Sequence, residues 1–192
     1  MDTGAEIKIS IKNMVCPRCI ESVNSILEEL KLSAKSIILG QATLDRALSE
    51  AEKNLLDQRL RSKGFELIND SKTITVSNIK AIIVNQIHYN PNQLKNNFST
   101  LLSDKLNHSY PKLSRLFTEM EGKTIEKFIL NQKIEKVKEL ISYDQYSISE
   151  IAHHLNYSSV AHLSSQFKKA TGVSPSHYKR IKDYNRNSLD KI

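Results

Sequence analysis

Cys16 and Cys19, the two cysteines of this chain, stand three positions apart in "NMVCPRC". Thiols at that spacing can hold a soft metal, exchange electrons as a dithiol, or pack as plain side chains. Two sulfurs suit Cu(I), whereas a structural zinc site wants four ligands and would need His or Cys from another segment. No His precedes His88. The pair follows a strand pattern and opens a helix pattern, so the macrodipole at that helix end is expected to favour thiolates.

The second chemistry available is basic. Residues 1–75 hold 11 Lys and Arg against 11 Asp and Glu, while residues 76–192 hold 17 against 10, so the net charge of +7 lies in the later part. A basic half beside a neutral one fits a polyanion-binding module joined to a unit with another task, with a solvated basic surface as the plainer alternative. Enzymatic sets are missing: no Gly-rich phosphate loop, HExxH or GxSxG occurs, and catalysis is not expected. His153, His154, His162 and His177 fit packing or capping better than metal binding, because no second ligand cluster repeats their spacing. With 192 residues, 39% apolar and 26% charged, the chain has globular composition for one large domain or two small ones. No apolar run nears the roughly 20 residues of a membrane span, and the start lacks a signal-peptide layout, so the cytoplasm is the expected compartment.

The elements that must position the thiols come first in the chain. "EIKISIKNM" alternates, with Ile7, Ile9 and Ile11 on one face, as a half-buried strand does. After the thiols, Pro17 opens a helix whose Ile20, Val23, Ile26, Leu27 and Leu30 recur at helical spacing. "AKSIIL" and "QATL" are two short strands around Gly40. Ser49 and Glu52 form a capping box before a helix with Ala51, Leu55, Leu56 and Leu60, closed by Gly64, and "FELI" is a last strand. The order is βαββαβ, an α+β, ferredoxin-like unit within residues 1–73. A thioredoxin-like redox unit fits less well, since no proline between Pro17 and Pro91 can face the thiols.

A strand ending in "NMVCPRC", the helix at once after it and a late "KGF" resemble the heavy-metal-associated domain of copper chaperones and metal-transporting ATPases, over residues 5 to 70. The resemblance implies Cys16 and Cys19 as metal-binding thiolates, Cu(I) or another soft metal as ligand, and Met14 packed beneath the loop. Asn13 departs from it, standing where that family usually has Gly. An inherited scaffold with idle thiols is the competing reading.

The remaining residues, 74–192, read as all-helical, after a polar bridge "DSKTITVSN". Ile79, Ile82, Ile83 and Ile87 lie on one helical face that stops at Pro91. "FSTLLSDKLN", a turn at "HSY" and "PKLSRLFTEMEG" make a helix-turn-helix, its second helix burying Leu113, Leu116, Phe117 and Met120. "SISEIAHHLNYSSVAHLSSQFKKATG" repeats the pattern, with a capping box at Ser147 and Glu150 and a turn at Asn156. Leu113, Ser114, Phe117 and Gly122 align with Leu163, Ser164, Phe167 and Gly172, an internal repeat of about 50 residues. Between the copies "TIEKFILNQKIEKVKELISY" is an unbroken helix of about 28 Å, against about 34 Å for one turn of B-DNA.

"KLSRLF", the spine "KFILNQKIEKVKELI", "SISEIAHHL" and "FKKATGVSPSHYK" closely resemble the DNA-binding domain of the AraC/XylS transcription regulators over residues 76 to 184. Departures are Asn156 for Gly, Leu163 for an aromatic, Ser165 for Arg and Lys133 for Arg. The resemblance implies that Lys112, Ser114, Arg115 and Thr118 face one major groove, and Ser159, Val160, Ala161, Ser164 and Ser165 the next. Arg115 can bond bidentately to guanine, whereas Lys168, Lys169, Lys179 and Arg180 suit phosphates. Double-stranded DNA is the implied partner, with RNA polymerase and a homodimer as further expectations. The expectation is a regulator whose DNA affinity answers to metal or thiol state at Cys16 and Cys19. A copper chaperone or trafficking protein with a helical docking domain is the alternative.

Overall fold

The computed structural model describes residues 7–91, 97–181, 188–189 and 192. A sheet unit comes first: β1 (Ile7–Lys12), α1 (Pro17–Glu29), β2 (Ala34–Ile38), β3 (Gln41–Leu44), α2 (Glu50–Ser62) and β4 (Glu66–Ile68). The strands pair antiparallel in the order β2-β3-β1-β4, with Ile9 opposite Ala42 and Ile11 opposite Leu67. Ile11, Ala42 and Leu44 pack with Val23 and Leu27 of α1 and Leu56 and Leu60 of α2 as one buried cluster. The Ser49–Glu52 capping box is made as expected. Ala51 and Leu55, expected on the apolar stripe of α2, face solvent, Leu55 being 45% exposed. A 13-residue helix on a small sheet reaches its core with one narrow stripe, here Leu56 and Leu60.

The expected bridge is a helix. In α3 (Ser71–Val84) the Asp70 side chain accepts from the Thr73 amide at 2.7 Å, and Val76 and Ile79 are buried. That cap and that burial outweigh the low helix propensity of its Thr, Ser and Val residues, which had made the segment read as a linker. α3 packs against β1, and a π-helical turn, Asn85–Tyr89, continues it.

Two helix-turn-helix units follow. The first is α4 (Phe98–Leu106) and α5 (Tyr110–Glu121), and the second is α7 (Ile148–His154) and α8 (Val160–Thr171), followed by α9 (Pro175–Ile181). α6 (Ile125–Ser142), with 18 residues and a length of about 27 Å, joins them. Val76, Ile79, Ile83, Leu102, Leu113, Phe117 and Phe128 form the first helical core. Ile134, Val137, Ile141, Ile151, Leu163, Phe167 and Tyr178 form the second. Met120, expected in the stripe of α5, is 42% exposed, because α5 runs a turn past Phe117, where its first core ends. Leu116 is half-buried. Among the described residues no helix is long and apolar enough to cross a membrane.

Candidate nucleic-acid interface

Residues 111–122 of α5 and its cap share one exposure pattern, position by position, with residues 161–172 of α8. Leu113 and Phe117 point inward, as do Leu163 and Phe167, while Lys112, Arg115 and Thr118 match Ala161-flanked His162, Ser165 and Lys168 on the open face. The likeness runs further than the residue types show. Gly122 and Gly172 both close their helices in the left-handed conformation, at φ 67° and 84°. Thr124 and Ser174 then accept from the amides of Lys127 and His177, at 3.2 Å each. Phe117 meets Phe128 at 5.6 Å between ring centroids, and Phe167 meets Tyr178 at 5.4 Å. Thus α5 and α8 are each clamped by an aromatic pair onto the helix that follows.

On these faces the expected residues differ in what they offer. Arg115 and Lys112 are exposed and make no ion pair among the described residues. Thr118 donates its hydroxyl to the Ser114 carbonyl at 2.9 Å, and the Ser159 hydroxyl caps α8 by accepting from the His162 amide at 3.0 Å. Val160, Ala161 and Ser165 are exposed and Ser164 is half-buried, so this surface is small and uncharged. Lys168 and Lys169 extend from the last turn of α8. Lys179 pairs with Asp144 at 2.7 Å, and Arg180 bonds His177 at 3.1 Å, so both are engaged within the chain.

Two features escaped the reading of residue types. His162 is held by Ser158 at Nδ1 (2.9 Å) and Gln166 at Nε2 (2.8 Å), with the Tyr157 ring edge-on at 5.6 Å, a polar row from the turn into α8. The four-residue spacing of 158, 162 and 166 is its signal. Lys133 of the spine donates to the Leu155 carbonyl at 2.8 Å and lies 4.9 Å from the Tyr157 ring. It therefore completes the end of α7 and fixes the second turn, and burial holds its pKa below the ordinary lysine value. Asn156 in that turn adopts φ 54°, as a residue replacing Gly must.

The thiols sit at the other end of the chain's architecture. Cys16 is the N-cap of α1, Cys19 lies in its first turn, and their sulfurs are 3.1 Å apart. Cys19 is pushed above the ordinary thiol value, by burial first and then by its bond to Cys16. Its side chain packs against the sheet core, and that burial opposes the effect of the helix end. Asn13, at φ 71°, takes the left-handed turn in place of Gly and donates to the Gly64 carbonyl at 2.9 Å, tying the loop to the far end of α2. Met14 is buried beneath the loop. Among the described residues no group of three or more His, Cys, Asp or Glu is placed to hold a metal ion. Val15 packs against the first helical core, and its carbonyl accepts from the Tyr89 hydroxyl at 2.9 Å. The Tyr89 phenol is pushed up to about 12, by burial and then by the charges of the two cysteines.

The family model of a helix-turn-helix domain matches residues 102–181. The chain is 28% identical over 139 residues to the xylose operon regulatory protein of Escherichia coli strain K12, covering 72% of this chain and 35% of that protein. It is 22% identical over 127 residues to the uncharacterized HTH-type transcriptional regulator YdeC of Bacillus subtilis, covering 66% of this chain and 43% of that one. The chain thus spans less than half the length of these relatives. Among solved structures, the C-terminal domain of AraT, a response regulator from Geobacillus stearothermophilus, aligns with a TM-score of 0.49 at 28% identity, covering 62% of this chain and 92% of that one. The C-terminal domain of the response regulator yesN from Fusobacterium nucleatum aligns with a TM-score of 0.46 at 28% identity, covering 54% and 99%. Residues 102–181 match a helix-turn-helix domain, and the curated proteins to which the chain is similar are a regulatory protein and a transcriptional regulator.

Proposed function

We propose that this chain is a sequence-specific transcription regulator of the AraC type that acts in the cytoplasm and sets α5 and α8 into successive major grooves of double-stranded DNA. The observation that carries this reading is the position-by-position repeat of two recognition helices about one continuous helix. A spine of about 27 Å is of the order of the 34 Å or so of one duplex turn, so one chain spans two adjacent half-sites. Arg115 reads a base beside Lys112, Ser114 and Thr118, the uncharged face of α8 reads by close packing and bridging water, and Lys168 and Lys169 hold phosphates. RNA polymerase and a second copy of the chain are the further partners of such a regulator. Every relative compared is a regulator, which gives the trafficking alternative no support.

The unit of residues 1–73 is in this reading a ferredoxin-like, heavy-metal-associated-like input domain. Its βαββαβ order and its β2-β3-β1-β4 sheet support that. Cys16 and Cys19 would hold Cu(I) or a similar soft ion, for which two partly buried sulfurs are a fitting donor set. Val15, next to the thiols and bonded to Tyr89, supports a route from thiol state to the DNA-binding part.

Selection of duplex sites by the purified protein tests the reading, with and without Cu(I) and reductant. Two half-sites about 10 base pairs apart, bound with a salt slope of several phosphates, are expected. Binding that ignores salt or sequence would overturn it. A Cys16→Ser, Cys19→Ser protein that answers Cu(I) as the parent does would remove the input limb and leave the DNA-binding limb standing.

A further inference from the structure

A cavity of about 230 Å³ lies at the seam of the two units, between the Lys12–Val15 segment before the thiols, α3, and the start of the spine. Its walls come from segments far apart in the chain, and they are set firmly. Gly40, at φ 83°, brings the β2–β3 turn so near α3 that a Cβ there would stand 3.3 Å from that of Ala81. Met14, Val76, Val84 and Phe128, all buried, make the apolar side.

The polar side is charged. Lys80 Nζ pairs with Glu121 at 2.8 Å, the two side chains being 29% and 22% exposed, and lies 5.8 Å from the Phe128 ring. An ammonium has three donors, and Glu121 accepts from one. A second lysine of the lining, Lys12, is exposed and makes no ion pair among the described residues. The half-buried Ser77 hydroxyl on the lining makes no bond among the described residues. Among the charged residues of the lining, Lys12 and Lys80 stand against Glu121, which leaves a positive excess beside an apolar wall.

We propose that this cavity is a binding site for a small organic anion with a compact apolar body, its carboxylate received by Lys80 and Ser77. A cavity of about 150 Å³ holds benzene, so this one has room for about nine non-hydrogen atoms. Few convergent polar groups on an otherwise apolar lining are the usual build of a ligand site. Since one wall is the segment that carries Val15 and another is α3, occupancy bears directly on how the sheet unit sits against the first helix-turn-helix. The binding claim stands apart from the DNA reading, and it is measured without DNA.

Cyclohexanecarboxylate, with nine non-hydrogen atoms, and its neutral amide serve as probes for the full chain, by saturation-transfer NMR and thermal shift. The acid is expected to bind with a millimolar or lower Kd and the amide at least tenfold more weakly. Lys80→Met, which keeps the apolar stem, should weaken the acid at least tenfold and leave the amide unchanged, and Ser77→Phe should abolish both by filling the space. No acid binding at 10 mM or so, equal binding of acid and amide, or binding unchanged in Lys80→Met would each overturn the proposal. If Ser77→Phe does not fold, the Lys80→Met comparison decides alone. In a second measurement, acid that binds the protein yet leaves its operator affinity unchanged would overturn the coupling across the seam and keep the site.

Discussion

Among the described residues three turns close on asparagines in the left-handed conformation, Asn13, Asn107 and Asn156, at φ 71°, 52° and 54°. Asn tolerates that region at lower cost than other residues with a Cβ, and at Asn13 the side chain adds a bond to Gly64 that glycine could not make. Arg115 and Lys168 are both exposed, Arg115 in the middle of α5 and Lys168 in the last turn of α8, and their chemistry suits different contacts. Arg115→Ala is expected to cost about 1–3 kcal/mol at one base position and to relax preference there. Lys168→Ala should weaken all sequences alike and lower the salt slope by about one. Binding isotherms against a single-base panel of sites, at several salt concentrations, check both.

At the scale of elements, helix ends carry much of the pH dependence. The carboxyl of Glu150 is held low, first by the Ser147 amide, and that of Glu52 is held at about 2, first by Arg46 and then by Ser49. Asp70, which caps α3, is held low by the Thr73 amide. Below the usual carboxylate range the unfolded chain therefore takes up protons that the folded chain refuses, and stability present above about pH 5 is lost as the pH falls. Melting temperature against pH should show that decline, and Glu150→Gln should flatten part of it. Ser147→Ala removes one cap of α7 and is expected to cost about 1 kcal/mol by urea denaturation. In the second turn Asn156→Val should cost about 1–2 kcal/mol and Asn156→Gly much less, by the same measurement.

For the whole molecule, the boundary between the sheet unit and the helices is a joint and not a tether. α3 touches β1, Val15 enters the first helical core, and Tyr89 reaches back across 74 positions of sequence to the Val15 carbonyl. On the helical side, His88 beside Tyr89 bonds Gln132 of the spine at 2.9 Å, both side chains being buried. Thiol loop, π-helical turn and spine are thus one chain of contacts. Tyr89→Phe is expected to destabilise the fold by about 0.5–1.5 kcal/mol. In DNA-binding titrations it should also erase any difference between reduced and Cu(I)-treated protein while leaving the affinity of the reduced form unchanged. A Tyr89→Phe protein that keeps the parent's full response would show that the signal travels elsewhere.

The residue order by itself determined what rests on local spacing. Alternating isoleucines, the two Ser-x-x-Glu boxes, the left-handed glycines and the repeat about α6 all act within a few positions, and the helices and strands formed where those signals stand. Where a local signal was weak the reading slipped. The Thr- and Ser-rich start of α3 needed the burial of Val76 and Ile79 to become a helix, and Met120 and Leu55 had the right period but no neighbouring element to cover them. Only the tertiary structure decided what rests on distant partners. Lys80 with Glu121, Lys133 with Leu155, Lys179 with Asp144 and Tyr89 with Val15 join residues 22 to 74 positions apart. Such contacts leave no periodicity behind, because a hydrogen bond or ion pair constrains two side chains and not the spacing between them. The cavity at the seam exists for the same reason, through the close packing of α3 on the β2–β3 turn at Gly40, more than thirty positions before it in the chain.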